Sequence, residues 1–381
     1  RDLRMSRGLG DVYKRQEKIE SVKEDKMITT FHQKRIRGVL GVLPENEYDY
    51  DEETKPFQDI HTKRLKRIMG YGKRRAAKSK TTTSDLCVYG FDYVLKHNWI
   101  KKEEIGAVVV VTISPDHYVP HVSNIIHGEF DLPHDVVCVD IPQACAGYIM
   151  GLMEACMLLE HMPKDKKVVL FTGDVLCRKE KETPLAYPSF GGDGASVSII
   201  ENDSEAGDIF LSLYNDGANR NALIIPAGGF RLPRSPETDV MMDIGDGTMR
   251  TQNCMWMDGS GVFNFVQREV PPMVEELLSY GDVSVDDVDW FLFHQPNKFM
   301  LQKLADKMKV PYEKMPMNVV GDFGNSNSNT VPFALASNLS EEIKENSYRC
   351  CLAGFGAGLC WGAALLELGD LDFCEMTISN L

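Results

Sequence analysis

The chain has 381 residues, is 43% hydrophobic, and carries 42 Lys and Arg against 56 Asp and Glu, a formal charge of −14. This suits a soluble globular protein of one large or two fused domains, and the acidic balance argues against general nucleic-acid binding, which needs a dominant basic face. No apolar run is long enough to span a bilayer and no signal peptide is evident, so a cytoplasmic protein with no membrane partner is expected.

From the start, Arg1 to Lys26 is polar and charged with no apolar period. Residues 1–26 read as a disordered or extraneous segment, with Met27 as the natural start. Glu45 to Glu53 is an acidic stretch that reads as a solvated loop. Lys63 to Lys80 is its opposite, with nine Lys and Arg and no acid. It is either a charged surface face or a docking patch for phosphate or an acidic protein.

Strands and helices then alternate. Ile105–Ile113 is a continuous β-branched run, the pattern of a strand buried on both faces. Val136–Ile141 and Val168–Thr172 look similar, and a Met-, Leu- and Ala-rich helix, Ala144–Glu160, lies between them. Val288–Phe293 and Arg349–Leu352 replay this plan in the second half. The expected fold class is α/β with a largely parallel core and duplicated βαβ halves, 27–205 and 206–381.

The ten cysteines include no C-x-x-C pair and show no zinc spacing with histidine. We expect reduced thiols, no metal and no redox cofactor. One cysteine stands apart. In Asp140-Ile-Pro-Gln-Ala-Cys145-Ala-Gly147 a strand ends and a short turn delivers Cys145 to the start of a helix. Helix N-terminal N–H groups and dipole favour a thiolate, and the small neighbours leave room for a substrate carbonyl. The plainer reading is a buried structural cysteine.

Eight of the nine histidines fall at or before His161; the ninth, His294, ends an apolar strand, where α/β folds place functional groups. Gly321–Thr330 is a polar turn leading into an apolar helix, Val331–Leu339. In Ala353-Gly354-Phe355-Gly356-Ala357-Gly358, alternating glycines let backbone N–H groups approach a ligand closely. A dinucleotide loop is the weaker alternative, because the spacing is not G-x-G-x-x-G.

Taken together, these segments resemble the β-ketoacyl-acyl-carrier-protein synthase III family of the thiolase-like superfamily. The motifs are ACAG around Cys145, HQPN from His294 where the family has HQAN, GN at Gly324-Asn325, and GFGAGLCWGAALLEL from Gly354. Gly192–Ala195 and Met257–Phe263 add lesser matches, and the likeness runs from about Arg35 to Leu368. The resemblance implies a layered α-β-α-β-α architecture and a homodimer. It also implies a decarboxylative condensing enzyme that joins an acyl thioester to malonyl-acyl carrier protein without a cofactor.

Carried over residue by residue, Cys145 is the acyl-accepting nucleophile, and His294 and Asn325 bind the second thioester. The N–H groups of Cys145 and Ala357 form the oxyanion hole. Val119, Met257, Gly259, Phe263, Asn297, Phe355 and Gly356 fall at substrate-binding positions. Arg64 and Ile68 stand where the family has an adenine-stacking Trp and an Arg, and Val119 where it often has a gating aromatic. After Asn325 the usual small-residue run is replaced by Ser-Asn-Ser-Asn. With the coenzyme A clamp incomplete, acyl donors are expected on acyl carrier protein rather than as acyl-CoA, docked at Lys73, Arg74, Arg75 and Lys298. The competing readings are a chalcone-type polyketide synthase or other acyltransferase of the superfamily, and a degenerate acyl-binding partner subunit.

Overall fold

The computed structural model describes residues 27–55, 60–178, 190–244 and 249–381. The expected extraneous segment 1–26 lies outside the described residues. Seventeen strands are described, in chain order β1 (Ile28–Phe31), β2 (Lys34–Leu43), β3 (Glu47–Asp49), β4 (Lys73–Arg75), β5 (Ile105–Val111), β6 (Val137–Ile141), β7 (Lys167–Asp174), β8 (Gly194–Asn202), β9 (Ile209–Asn215), β10 (Leu223–Ile224), β11 (Met242–Asp243), β12 (Met249–Arg250), β13 (Trp256–Met257), β14 (Trp290–Phe293), β15 (Ser347–Gly356), β16 (Cys360–Gly369) and β17 (Phe373–Ile378). The helices that matter below are α1 (Tyr50–Thr54), α2 (Ile60–Met69), α3 (Thr83–Lys96), α4 (Val122–Glu129), α5 (Gly147–His161), α6 (Gly259–Tyr280), α7 (Lys298–Met308) and α8 (Thr330–Asn338).

Two mixed sheets carry the fold. One has the order β17-β2-β8-β7-β5-β6, the other β1-β9-β16-β15-β14. The apolar run at 105–111 becomes β5, flanked by parallel β6 and β7. Its four consecutive valines, Val108 to Val111, have no exposed surface. Helices cover both of its faces, so the run need not alternate. Fully burying each such side chain contributes about 1.5–3 kcal/mol.

Helices α5 and α8 pack between the two sheets, α3 and α4 cover the outer face of the first, and α6 with α7 covers the second. The result is the layered α-β-α-β-α arrangement of the thiolase-like fold. The chain ends cross between the sheets: β1 pairs with β9 in the second sheet and β17 with β2 in the first.

Local chemistry explains where elements begin. Thr82 and Asp85 form a capping box at the start of α3. Asp258 caps α6 and Asn297 caps α7, each accepting a backbone N–H of the first turn. The buried helix α5 begins at Gly147, later than the expected Ala144, because residues 144–146 form the turn that carries the cysteine.

The acidic stretch is not a free loop. Its β3 pairs antiparallel with β4 from the basic segment, so opposite charges meet across a hairpin. Glu47 takes Lys73 at 2.6 Å and Arg75 at 2.7 Å, Glu45 takes Lys78 at 2.9 Å, and Asp51 takes Lys66.

Candidate active site

Strand β6 ends at Ile141 and the turn places Cys145 two residues before α5, with only 7% of its surface exposed. Strand β15 runs directly over it. A Cβ at Gly354 would come 2.8 Å from the Cys145 carbonyl oxygen, and one at Gly356 would come 2.9 Å from Cys145 Sγ. Those two glycines are required by this approach. Gln143 Nε2 donates to the Ala357 carbonyl at 3.0 Å and ties the turn to the glycine segment. The backbone N–H groups of Cys145 and Ala357 are both placed to favour negative charge on the Cys145 sulfur.

The thiolate expected from the helix N-terminus is not the resting form. Burial, reinforced by the negative charge of Asp174, pushes the Cys145 thiol up to about 12. The two N–H groups and the helix start oppose this but do not prevail, because desolvating an anion outweighs two hydrogen bonds.

His294 follows β14, and its N–H donates to the Ala353 carbonyl of the neighbouring strand at 2.7 Å. The ring is buried, lies edge-on against Phe355 at 5.5 Å, and places Nδ1 2.7 Å from Thr330 Oγ1. The same hydroxyl oxygen lies 2.9 Å from the Asn327 carbonyl oxygen and accepts from the Gln295 N–H at 3.2 Å. Burial drives the His294 pKa down to about 3, so the ring is neutral across the physiological range.

The third element is the loop before α8. Asn325 is half-buried and its backbone bridges to Gly191. Its Oδ1 accepts the Asn327 N–H at 3.0 Å, which shapes the turn. The amide that reaches Cys145 is that of Asn327: Cys145 Sγ lies 3.7 Å from Asn327 Oδ1. Asn327 has a φ of 54°, in the left-handed region. Its Nδ2 donates to Asp174 Oδ2 at 2.9 Å. Sequence reasoning missed both Asn327 and Asp174. The one available signal was the departure from small residues after Asn325.

Other expected site residues are placed differently. Gly356 packs on Cys145, whereas Phe355 points to the opposite face of β15 and supports the His294 ring. Asn297 Oδ1 is used as the cap of α7, accepting from Met300 N at 2.8 Å. Phe263 stacks on Phe299 at 5.7 Å. Met257 and Gly259 are exposed near the start of α6, and Val119 is 76% exposed on a loop.

The docking set also changes. Lys73 and Arg75 share Glu47, and Arg74 is buried on Glu53, so these three are not free surface cations. Lys298 is exposed on the first turn of α7, against Gly70 at the end of α2. Lys63, Arg64 and Arg67 of α2 are exposed too, and none of these four makes an ion pair among the described residues.

Comparison with known proteins places this geometry. The C-terminal region described as 3-oxoacyl-[acyl-carrier-protein (ACP)] synthase III matches residues 278–368. A putative 3-oxoacyl-[acyl-carrier-protein] synthase 3 of Campylobacter jejuni is 30% identical over 353 residues, covering 91% of this chain and 97% of the relative. The β-ketoacyl-[acyl-carrier-protein] synthase III of Syntrophomonas wolfei is 29% identical, covering 88% and 97%. The solved structure of a 3-oxoacyl-(acyl-carrier protein) synthase from Burkholderia xenovorans superposes with a TM-score of 0.83 at 27% identity, over 93% of this chain and 99% of that one. The chain belongs to the β-ketoacyl-acyl-carrier-protein synthase III family of acyl-transferring condensing enzymes.

Proposed function

We propose that the protein joins an acyl thioester to malonyl-acyl carrier protein through an acyl-Cys145 intermediate, giving a β-ketoacyl thioester. One observation carries this reading: the Cys145 sulfur faces two backbone N–H groups, its own and that of Ala357, beneath a glycine-lined strand. Such a pair is suited to an oxyanion, because fixed donors need no reorganisation as charge develops.

In the first half-reaction Cys145 Sγ attacks the thioester carbonyl. The oxyanion sits on the two N–H groups, and the departing thiolate leaves with the proton that the cysteine gives up. In the second, malonyl thioester loses carbon dioxide. The enolate oxygen is held by hydrogen bonds from the Asn325 amide, whose Nδ2 has no partner among the described residues, and from neutral His294 in the tautomer with its proton on Nε2, Nδ1 then accepting from the Thr330 hydroxyl. The enolate carbon attacks acyl-Cys145, and the thiolate released is reprotonated.

Carrier protein, which is acidic, would dock at Lys63, Arg64, Arg67 and Lys298, the exposed cations beside the His294 segment. A homodimer is supported by β6, which ends its sheet with an open edge and leaves Val137 and nearby Met157 each 41% exposed. The free thiols of cysteines 87, 138, 145, 156, 350, 351, 360 and 374 support a reducing, cytoplasmic setting. The reading is tested by incubating the protein with acyl-carrier and acyl-CoA donors and measuring intact mass. One acyl adduct on Cys145, discharged by malonyl-acyl carrier protein with loss of carbon dioxide, is the expected result. No adduct from any donor would overturn it.

A further inference from the structure

Beneath the nucleophile lies a carboxylate that the reaction above does not use. Asp174 ends β7, has no exposed surface, and collects four hydrogen bonds. Thr112 Oγ1 at 3.1 Å, Ile113 N at 3.0 Å and Ser114 Oγ at 2.9 Å all donate to Oδ1. Asn327 Nδ2 alone donates to Oδ2, at 2.9 Å. An ionised carboxylate only accepts hydrogen bonds, so this contact fixes which way the Asn327 amide faces. Its nitrogen is turned to Asp174 and its oxygen to Cys145 Sγ, 3.7 Å away.

Resting on the reading of Cys145 as the acyl acceptor, we propose that Asp174 and Asn327 hold the resting nucleophile as an oriented thiol. Asn327 takes the S–H as its acceptor, and Asp174 is the positioning residue that locks the amide. The sulfur lone pairs are then left facing the N–H groups of Cys145 and Ala357, where the thioester carbonyl will enter. The arrangement favours thiol over thiolate on two counts. An amide oxygen repels an anionic sulfur, and a buried carboxylate adds a like charge. A neutral thiol is also the form that resists alkylation and oxidation until substrate arrives.

The titratable groups that act on the Cys145 thiol are Asp174 from β7 and Cys360 from β16, directly opposite Gly356. The burial that drives the thiol upward also moves Asp174 up to about 6. The carboxylate is thus charged at neutral pH and can be neutralised by substitution without change of volume.

The test is the pH dependence of Cys145 alkylation by iodoacetamide, read by peptide mass, in the full chain. In D174N the three donors to Oδ1 hold the new amide oxygen in that place. The new amide nitrogen then meets Asn327 Nδ2, donor against donor, and the Asn327 amide turns over to offer Nδ2 to the sulfur. The expected midpoint falls by about one pH unit, with alkylation near neutrality about tenfold faster. N327G removes the amide while keeping a backbone that glycine adopts at φ 54° without strain, and shifts the midpoint the same way. It decides the matter if D174N fails to fold. A purely structural carboxylate would lower the melting temperature and leave the midpoint where it was. A wild-type midpoint in folded N327G, or in both variants, overturns the proposal. Failure of the functional reading is seen separately, as absence of an acyl adduct on the wild-type protein.

Discussion

Arg74 and Glu53 meet in a two-point contact, with Nε 2.8 Å from Oε2 and Nη2 2.5 Å from Oε1. Arg74 is 7% exposed, and its guanidinium also lies 4.9 Å from the ring centroid of Tyr48. A planar fork on a half-buried carboxylate is a structural joint between β4 and the end of α1. Arg74→Ala would leave Glu53 without this partner. The expected cost is about 1.5–3 kcal/mol in chemical denaturation, the range for a hydrogen bond to a charged group. The KM for carrier-bound substrate should stay near that of the wild type. A stable variant with a raised KM would return Arg74 to the docking surface.

The exposed cations behave in the opposite way. Reversing Lys63, Arg64 and Arg67 to Glu should leave stability nearly unchanged, because none has a fixed partner among the described residues. It should raise the KM for carrier-bound donors and flatten its salt dependence, since surface steering is screened over about 8 Å at physiological ionic strength. Small thioester mimics should be used as before. Equal effects on both donor types would remove the docking role.

Substitutions at the reacting groups should separate the half-reactions. Cys145→Ala should abolish the acyl adduct. His294→Ala and Asn325→Ala should slow malonyl decarboxylation by roughly 10²–10⁴-fold while acylation survives better. Equal loss of both steps would show that His294 and Asn325 do not act mainly on the enolate. N327G supplies the contrast, because its amide faces the thiol and Asp174.

Which parts of this site could be read from the sequence follows from how local each signal is. The β-branched run at 105–111 and the strand–turn–helix around Cys145 are continuous, so their patterns showed strand and turn directly. The glycines at 354 and 356 also announced a close backbone approach. Asp174 did not show itself, because an acid at a strand end looks like any turn residue. Its four donors come from 112–114 and from 327. Likewise, nothing in the basic run shows that β4 folds back on β3, 24 or more residues away in Lys73↔Asp49 and farther in Arg75↔Glu47. Charge sign was legible; charge pairing needed the hairpin.

His294 gives a pH prediction whose sign can be worked out. Its pKa is about 3 when folded, against the ordinary histidine value of 6.5. Between those values the unfolded chain binds the proton and the folded one does not, so this contribution is intact above 6.5 and is lost as pH falls toward 3. Asp174 works the other way. Raised from 3.8 to about 6, it favours the folded state at low pH and loses that contribution as pH rises through this window. The two offset each other between 3.8 and 6. His294→Gln, which cannot titrate there, should lose less stability on acidification than the wild type in denaturant titrations from pH 7 to 4. An identical slope would mean that the ring is not held neutral. In activity, no acid limb near 6.5 should be assignable to His294.

The open edge of β6 makes the last prediction. Among the described residues β6 pairs only with β5 in its sheet, and its other side meets no strand. Beside it, Val137, Met157, Leu158 and Met162 form an apolar strip with Glu160 and His161. An exposed edge with apolar flanks invites another strand, and a second copy of β6 meeting it antiparallel would satisfy both edges by symmetry. Sedimentation should therefore give a dimer. Val137→Lys places a charge on that edge, where a partner copy would bring an identical charge close, and should shift the equilibrium toward monomer. Because Val137 is already 41% exposed, the monomer should keep its fold. Acylation of Cys145 from a small thioester should persist, since Gly356 and Asn327, which lie against its sulfur, belong to the same chain. A wild-type monomer, or a Val137→Lys dimer of undiminished affinity, would place the interface elsewhere.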